Sequence, residues 1–267
     1  MATTINWVSG TTIFTTTDYT NAGSPTSVIL GSGWTQIQGA FDNNTTLTSI
    51  VIPDSVTSIN SFAFRGCTQL TTMTFTPTTS QLTEITSHCF QQAALSSLTL
   101  PDSLTTIGDN CFQQCTFTSL VIPNSVTSLG HGIFWNSGIQ TVTLSNAITS
   151  LGNSVFVYCS SLTSIVIPDS VVTIGTNTFN GCSSLTSVTL GSGLTTIGDP
   201  KFASSPLTTV VMRTDSLVFA TVFSGITTIK TVTFDIAGAI PANSCTSITS
   251  LTSVTIGNTV TSIGNLA

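Results

Sequence analysis

Leu47–Gln69 reads LTSIVIPDSVTSINSFAFRGCTQ, with apolar residues at Leu47, Ile50, Ile52, Val56, Ile59, Phe64 and Cys67. The phrase returns from Leu162 as LTSIVIPDSVVTIGTNTFNGCSS and from Leu185 as LTSVTLGSGLTTIGDPKFASSP. Further copies begin at Leu70, Leu95, Phe117, Ile139, Leu207, Ile229 and Leu251, and a degenerate one precedes them from Pro25. The spacing is 22 or 23 residues except between Leu70 and Leu95, where it is 25. A repeat this short cannot bury its own apolar face, so successive copies must stack as coils around a shared core. The period therefore predicts a β-rich solenoid of about 10–11 coils over residues 28–267, with the last coil incomplete.

Within a copy, Ile50-Val51-Ile52 is β-branched and alternates with period two, which predicts a strand. Pro53-Asp54-Ser55 predicts a tight turn, because proline presets φ and aspartate caps a following amide. Val56–Ile59 is a second extended piece, and Asn60–Cys67 a short helical or irregular return. The longer interval comes from TPTTSQ after Phe75, where other copies carry three residues, and predicts a bulge at the turn.

The return repeats a phenylalanine at Phe41, Phe64, Phe90, Phe112, Phe134, Phe156, Phe179 and Phe202. Stacked coils place these rings in one internal column. Phe223 and Cys245 sit one residue early for that slot. Residues 1–27 stand outside the clear repeat and are read as an N-terminal cap plugged by Trp7 and Phe14, because an open coil exposes core and strand edge. The last copy, LTSVTIGNTVTSIGNLA, stops before its Phe, which makes Val254 and Ile256 a candidate edge for end-to-end contact.

Only 5% of the residues are charged, against roughly 25% in a typical soluble domain. Ser and Thr replace them as outward polar residues. Four basic residues and a net charge of −6 exclude a basic nucleic-acid footprint. Membrane insertion is not expected, since no apolar run reaches the roughly 18 residues a spanning helix needs. MATTINWVSGTT has neither the basic nor the apolar region of a secretory signal.

The chemistry-bearing residues do not assemble into a catalytic, metal or cofactor set. Cys67, Cys115, Cys159 and Cys182 share one slot and read as small buried hydrophobes; a Cys159–Cys182 disulfide across adjacent coils is the alternative. Cys111 and Cys115 are four apart and Cys89 adjoins His88, but zinc spacing is lacking. His131 reads as an exposed turn residue. Asp54, Asp102 and Asp169 alternate with Asn124 and Asn146, which fits turn capping better than a calcium ladder. The outward residues of the first strand are more informative. With Ile50 and Ile52 inward, Ser49 and Val51 point out. The same pair is Thr72 and Thr74, Ser97 and Thr99, Ser119 and Val121, Thr141 and Thr143, then Ser164 and Val166. It continues as Ser187 and Thr189, Thr209 and Val211, Thr231 and Thr233, and Ser253 and Thr255. This uncharged ladder is the candidate interaction face.

LTSIVIPDSVTSI followed by Phe64 and Gly66-Cys67, with Gly181-Cys182 in a later copy, resembles the BspA-type leucine-rich repeat over about nine-tenths of the chain. The resemblance implies a right-handed leucine-rich-repeat solenoid with a parallel sheet on one side. It also implies surface-exposed binding proteins of bacteria and some protists, with similar repeats in large DNA viruses, and supplies no catalytic residues. The expected function is a non-enzymatic structural or adhesive protein, extracellular, on a cell surface or in a virion. Its partner is a protein or a further copy of itself, joined end to end. A monomeric ligand-binding adhesin, a virion surface component and an ice-binding solenoid are the alternatives.

Overall fold

The computed structural model describes residues 3–5, 12–76, 80–199, 201–202, 204–246 and 248–265. Trp7, Val8 and Pro77-Thr78-Thr79, at the centre of the expected bulge, lie outside the described residues. The chain coils into a solenoid in which every strand pairing is parallel and sequential. Most coils present a long strand, a turn, a two-residue strand and a return. The apolar side chains at alternate strand positions fill one continuous core that runs from Ile5 to the coil of Thr231–Phe234 and Ala239–Ile240.

The N-terminal segment is built like the coils that follow it. Thr3–Ile5 pairs with the strand Ser27–Leu30, and Ile13–Phe14 pairs with Gln36–Ile37. The helix Thr16–Asn21 sits between, its start fixed by the Thr15 amide and hydroxyl, which both donate to the Asp18 carboxylate at 2.8 Å. Buried Tyr19 meets the Phe41 ring edge-on at 4.9 Å.

The phenylalanines stack in a single column. From Phe14 through Phe41, Phe64, Phe90, Phe112, Phe134, Phe156, Phe179 and Phe202 to Phe223, successive rings lie 5.0–5.7 Å apart with interplanar angles of 5–27°. Phe223 joins the column although its sequence position is one short, because the helical turn Phe219–Val222 replaces the usual strand there.

The returns, expected to be helical or irregular, are pairs of overlapping turns. From Gly39 to Gly181 each carries two left-handed residues four positions apart, such as Phe62 and Gly66, His88 and Gln92, and Ser154 and Tyr158. The second turn opens at the column phenylalanine, whose carbonyl accepts the amide three residues on, as from Phe64 to Cys67 and Phe156 to Cys159. A left-handed residue at the third position is what a type II turn demands. The phenylalanine amides donate forward to the next coil, Phe64 to Cys89 and Phe134 to Val155, each at 2.9 Å. From Phe41 to Phe156 the returns thus form a third backbone ladder that anchors the column.

Thiols complete these corners. Cys67, Cys115, Cys159 and Cys182 each donate to the phenylalanine carbonyl of the preceding coil, at 2.9–3.1 Å. All are free, so no Cys159–Cys182 disulfide forms. Burial, by disfavouring the thiolate, pushes Cys67 and Cys159 up to about 12, and raises Cys89, Cys111, Cys115 and Cys182 as well. These thiols stay protonated, and the four in the shared slot act as small donors in the core.

The abundance of threonine has a similar cause. Thr48, Thr71, Thr163, Thr186, Thr208 and Thr252 stand before the long strands, and each hydroxyl donates to the coil behind it. A matching column precedes the short strands at Thr35, Thr57, Thr83, Thr105 and Thr195. Short hydroxyl side chains thus make coil-to-coil bonds at positions where a charged residue is rare, Lys230 being the one that holds the slot of Thr208 and Thr252.

Candidate binding face along the long strands

The long-strand ladder is interrupted, and the interruptions build the candidate site. It runs as a four-stranded sheet ending at Thr72–Phe75, a pair Ser119–Val121 and Thr141–Thr143, and a five-stranded sheet from Ser164–Val166 to Ser253–Ile256. Residues 97–100 form no strand at all. At four other coils, the residue after the strand donates to the preceding coil: Thr76 to Ile52, Arg213 to Leu190, Asp235 to Met212 and Gly257 to Phe234, at 2.8–2.9 Å. Each interruption falls before a coil whose turn opens with proline, namely Pro101, Pro123 and Pro168, and proline has no amide to give. At Pro53 the same loss only shortens the pairing, which stops at Ile29 and Val51.

Where the ladder opens, the face changes character. Thr72, Thr74, Ser97, Thr99, Thr141 and Thr143 are exposed, as are Ser119, Val121, Ser164 and Val166. On either side of this stretch, Ser49 and Val51, and then Ser187, Thr189, Thr231 and Thr233, are half-buried. Val121 and Val166 stand out, at 63% and 55% exposure. Three hollows follow the interruptions, at the corner between strands and turns. One of about 680 Å³ lies between Met73–Thr76 and Leu100–Ser103. One of about 440 Å³ continues from Leu100 to Val121 and Thr143. One of about 530 Å³ reaches on to Val166 and Pro168. Neighbouring hollows share walls, Thr99 and Leu100 between the first two and Val121 and Thr143 between the last two, so they form one furrow.

Asp102 lines all three hollows and is the only ionisable residue in any of them. Sequence reasoning grouped it with its slot mates as a turn cap, and the structure separates them. The Asn124 amide oxygen accepts from the Asn146 backbone at 2.9 Å, and the Asp169 carboxylate from that of Ser192 at 2.8 Å, each capping the next coil. Asp102 makes no such bond among the described residues, because its turn faces the coil across an interruption. The proline at 101 together with the preceding insertion was the available signal.

The remaining candidates have structural roles. His131 sits in a polar ladder: its amide donates to Asp109 at 2.7 Å and its Nδ1 accepts from the Asn153 amide at 2.8 Å. His88 stacks on Phe62 with centroids 5.4 Å apart. The Arg65 guanidinium lies 4.2 Å from the centre of that Phe62 ring and makes two hydrogen bonds to Asp42, at 2.7 and 2.6 Å. Among the described residues, no group of His, Cys, Asp and Glu is placed to hold a metal ion. Among the described residues, no helix is long and apolar enough to cross a membrane. Val254 and Ile256, on the strand Ser253–Ile256 at the end of the five-stranded sheet, are 48% and 45% exposed.

A parallel solenoid with long and short strands in most coils, and a column of stacked phenylalanines through its returns, is the architecture of a leucine-rich-repeat protein. The family model described as BspA type Leucine rich repeat region (6 copies) matches this chain over three overlapping stretches, residues 35–163, 83–204 and 149–267. The chain belongs to that family, whose repeats are typical of surface and protein-interaction proteins. Among solved structures, it resembles a leucine-rich repeat protein from Bacteroides ovatus at 24% identity, with a TM-score of 0.61, over 88% of this chain and 67% of the other. It also resembles the T. pallidum leucine rich repeat protein at 28% identity, with a TM-score of 0.53, over 59% of this chain and 77% of the other. No curated protein matches it.

Proposed function

We propose that this chain is a non-enzymatic, adhesive surface protein that holds a protein partner along the outer side of its long strands. The observation that carries this reading is the furrow from Thr72 to Pro168, where the ladder opens and outer side chains become exposed together. Exposed apolar side chains set among hydroxyls are what a protein interface uses. The thiols and histidines support a non-enzymatic role, being engaged in the core and in coil-to-coil bonds.

The test is a double variant, Val121→Glu with Val166→Glu, screened by interferometry against a panel of immobilised extracellular proteins beside the parent and Tyr158→Ser. Tyr158 is exposed at a return, away from the furrow. The parent and Tyr158→Ser bind the same panel members, and the double variant loses them at least tenfold. Equal binding by all three chains rejects this face.

End-to-end association is the second reading, favoured by the half-exposed Val254 and Ile256 on an outermost strand. Sedimentation across a dilution series checks it. The parent then sediments as concentration-dependent oligomers and Val254→Lys with Ile256→Lys as a monomer. A parent that is monomeric throughout removes this reading.

A further inference from the structure

The furrow's chemistry narrows what fits it. It crosses the five coils from Thr72–Phe75 to Ser164–Val166, four steps of about 4.8 Å, or about 19 Å. An extended chain rises about 3.3 Å per residue, so this length accommodates about six residues. The floor is apolar, with Leu100, Ile122 and Leu144, and the rim carries the hydroxyls of Thr74, Thr99 and Thr143. None of the chain's four cations lines it; they are Arg65, Lys201, Arg213 and Lys230. Its single charge is the Asp102 carboxylate, at the junction of all three hollows and without a hydrogen-bond or ion-pair partner among the described residues. The equivalent Asn124 and Asp169 are occupied in capping. An acidic chain of net charge −6 with an unengaged carboxylate in an otherwise neutral furrow is complementary to a cation set among apolar residues.

Resting on the binding-face reading above, we propose that the furrow takes an extended peptide segment of about six residues, with alternating apolar side chains and one Lys or Arg that pairs with Asp102. The alternation follows from the geometry: every second side chain of an extended segment faces the floor. The basic residue sets register and orientation, and contributes little raw affinity because Asp102 is exposed.

The probe is a positional-scanning library of capped synthetic octapeptides on beads, exposed to the labelled full chain, to Asp102→Asn and to the Val121→Glu, Val166→Glu variant. The parent selects Lys and Arg at one position, about fivefold over norleucine at low salt, as an exposed ion pair allows. The preference shrinks in 0.5 M NaCl, because screening acts on exposed charges. Asp102→Asn keeps the apolar selection and loses the basic one, and the furrow variant loses both. Asp102 is exposed at a turn, so an unchanged melting curve confirms that its variant folds. A basic preference that survives in Asp102→Asn, or no basic preference at all, overturns the cationic-segment proposal. In the latter case, apolar selection lost in the furrow variant still leaves the face reading standing. Peptide selection unaffected by the furrow variant, or no selection of any peptide, overturns the proposal, and the protein-panel assay then decides the face reading by itself.

Discussion

Phe156→Ala lowers the stability of the chain by about 3–5 kcal/mol. The ring is fully buried, held between Phe134 at 5.3 Å and Phe179 at 5.6 Å, with interplanar angles of 5° and 8°. Truncation removes its transfer free energy and leaves a gap whose cost depends on how far the walls can collapse. Here they are held apart. The Phe134 and Phe156 amides are bonded forward to Val155 and Thr178, and the Phe156 carbonyl holds the Cys182 thiol at 3.1 Å. Those backbone bonds survive the substitution and keep the coils at their spacing, so the gap persists and the cost falls toward the upper end. Each coil leans only on its neighbours, so the loss is local and the unfolding transition broadens or divides near the middle of the solenoid. Urea unfolding followed by circular dichroism measures it. A shift equivalent to under 1 kcal/mol would show that the column contributes little. Val166→Thr, an isosteric change at a strand position 55% exposed, is the control and changes stability by no more than about 0.5 kcal/mol.

The column and the long strands were legible because they recur with fixed spacing and because period two separates Ile50 and Ile52 from Ser49 and Val51. What was not legible depends on backbone groups that side-chain patterns do not display. Pro101, Pro123 and Pro168 read correctly as turn formers. Their cost to the sheet lies in the amide each lacks, and it is felt one coil away. Asp102, Asn124 and Asp169 look equivalent in the repeat and differ only in whether the next coil is close enough to be capped. The returns gave no glycine signal at His88, Gln92, Gln114 or Tyr158, which nonetheless adopt left-handed conformations because the forward ladder imposes them. The threonines were read as a neutral surface, yet two columns of them spend their hydroxyls on carbonyls of the coil behind.

Gly108→Ala destabilises the chain by about 1–3 kcal/mol, an overpacking cost. Its φ is not in the left-handed region, so the effect comes from crowding. A Cβ there would lie 2.5 Å from the Ser87 nitrogen, 2.7 Å from the Thr86 carbonyl carbon and 3.0 Å from the Ser87 Cα. All three are backbone atoms, so no side-chain rotation relieves the contact. Separating the coils instead would stretch the bond from the Gly108 amide to Ile85, now 2.8 Å. The same approach recurs at Gly130, Gly175 and Gly198, each pressed on the backbone of the coil before it, so a displaced Gly108 disturbs the seat of the next glycine as well. Gly138→Ala makes the contrast. Its nearest obstacle is the Thr116 carbonyl oxygen at 3.2 Å, which a small shift accommodates. Alanine also narrows the unfolded ensemble, a gain of about 0.4–1 kcal/mol wherever the folded backbone tolerates it. The two substitutions are chemically identical and share that unfolded-state gain. Opposite signs in urea unfolding, Gly108→Ala down and Gly138→Ala near neutral or up, isolate the close approach of coils as the cause. Equal stability of the two variants would mean that the coils at Gly108 have room to part.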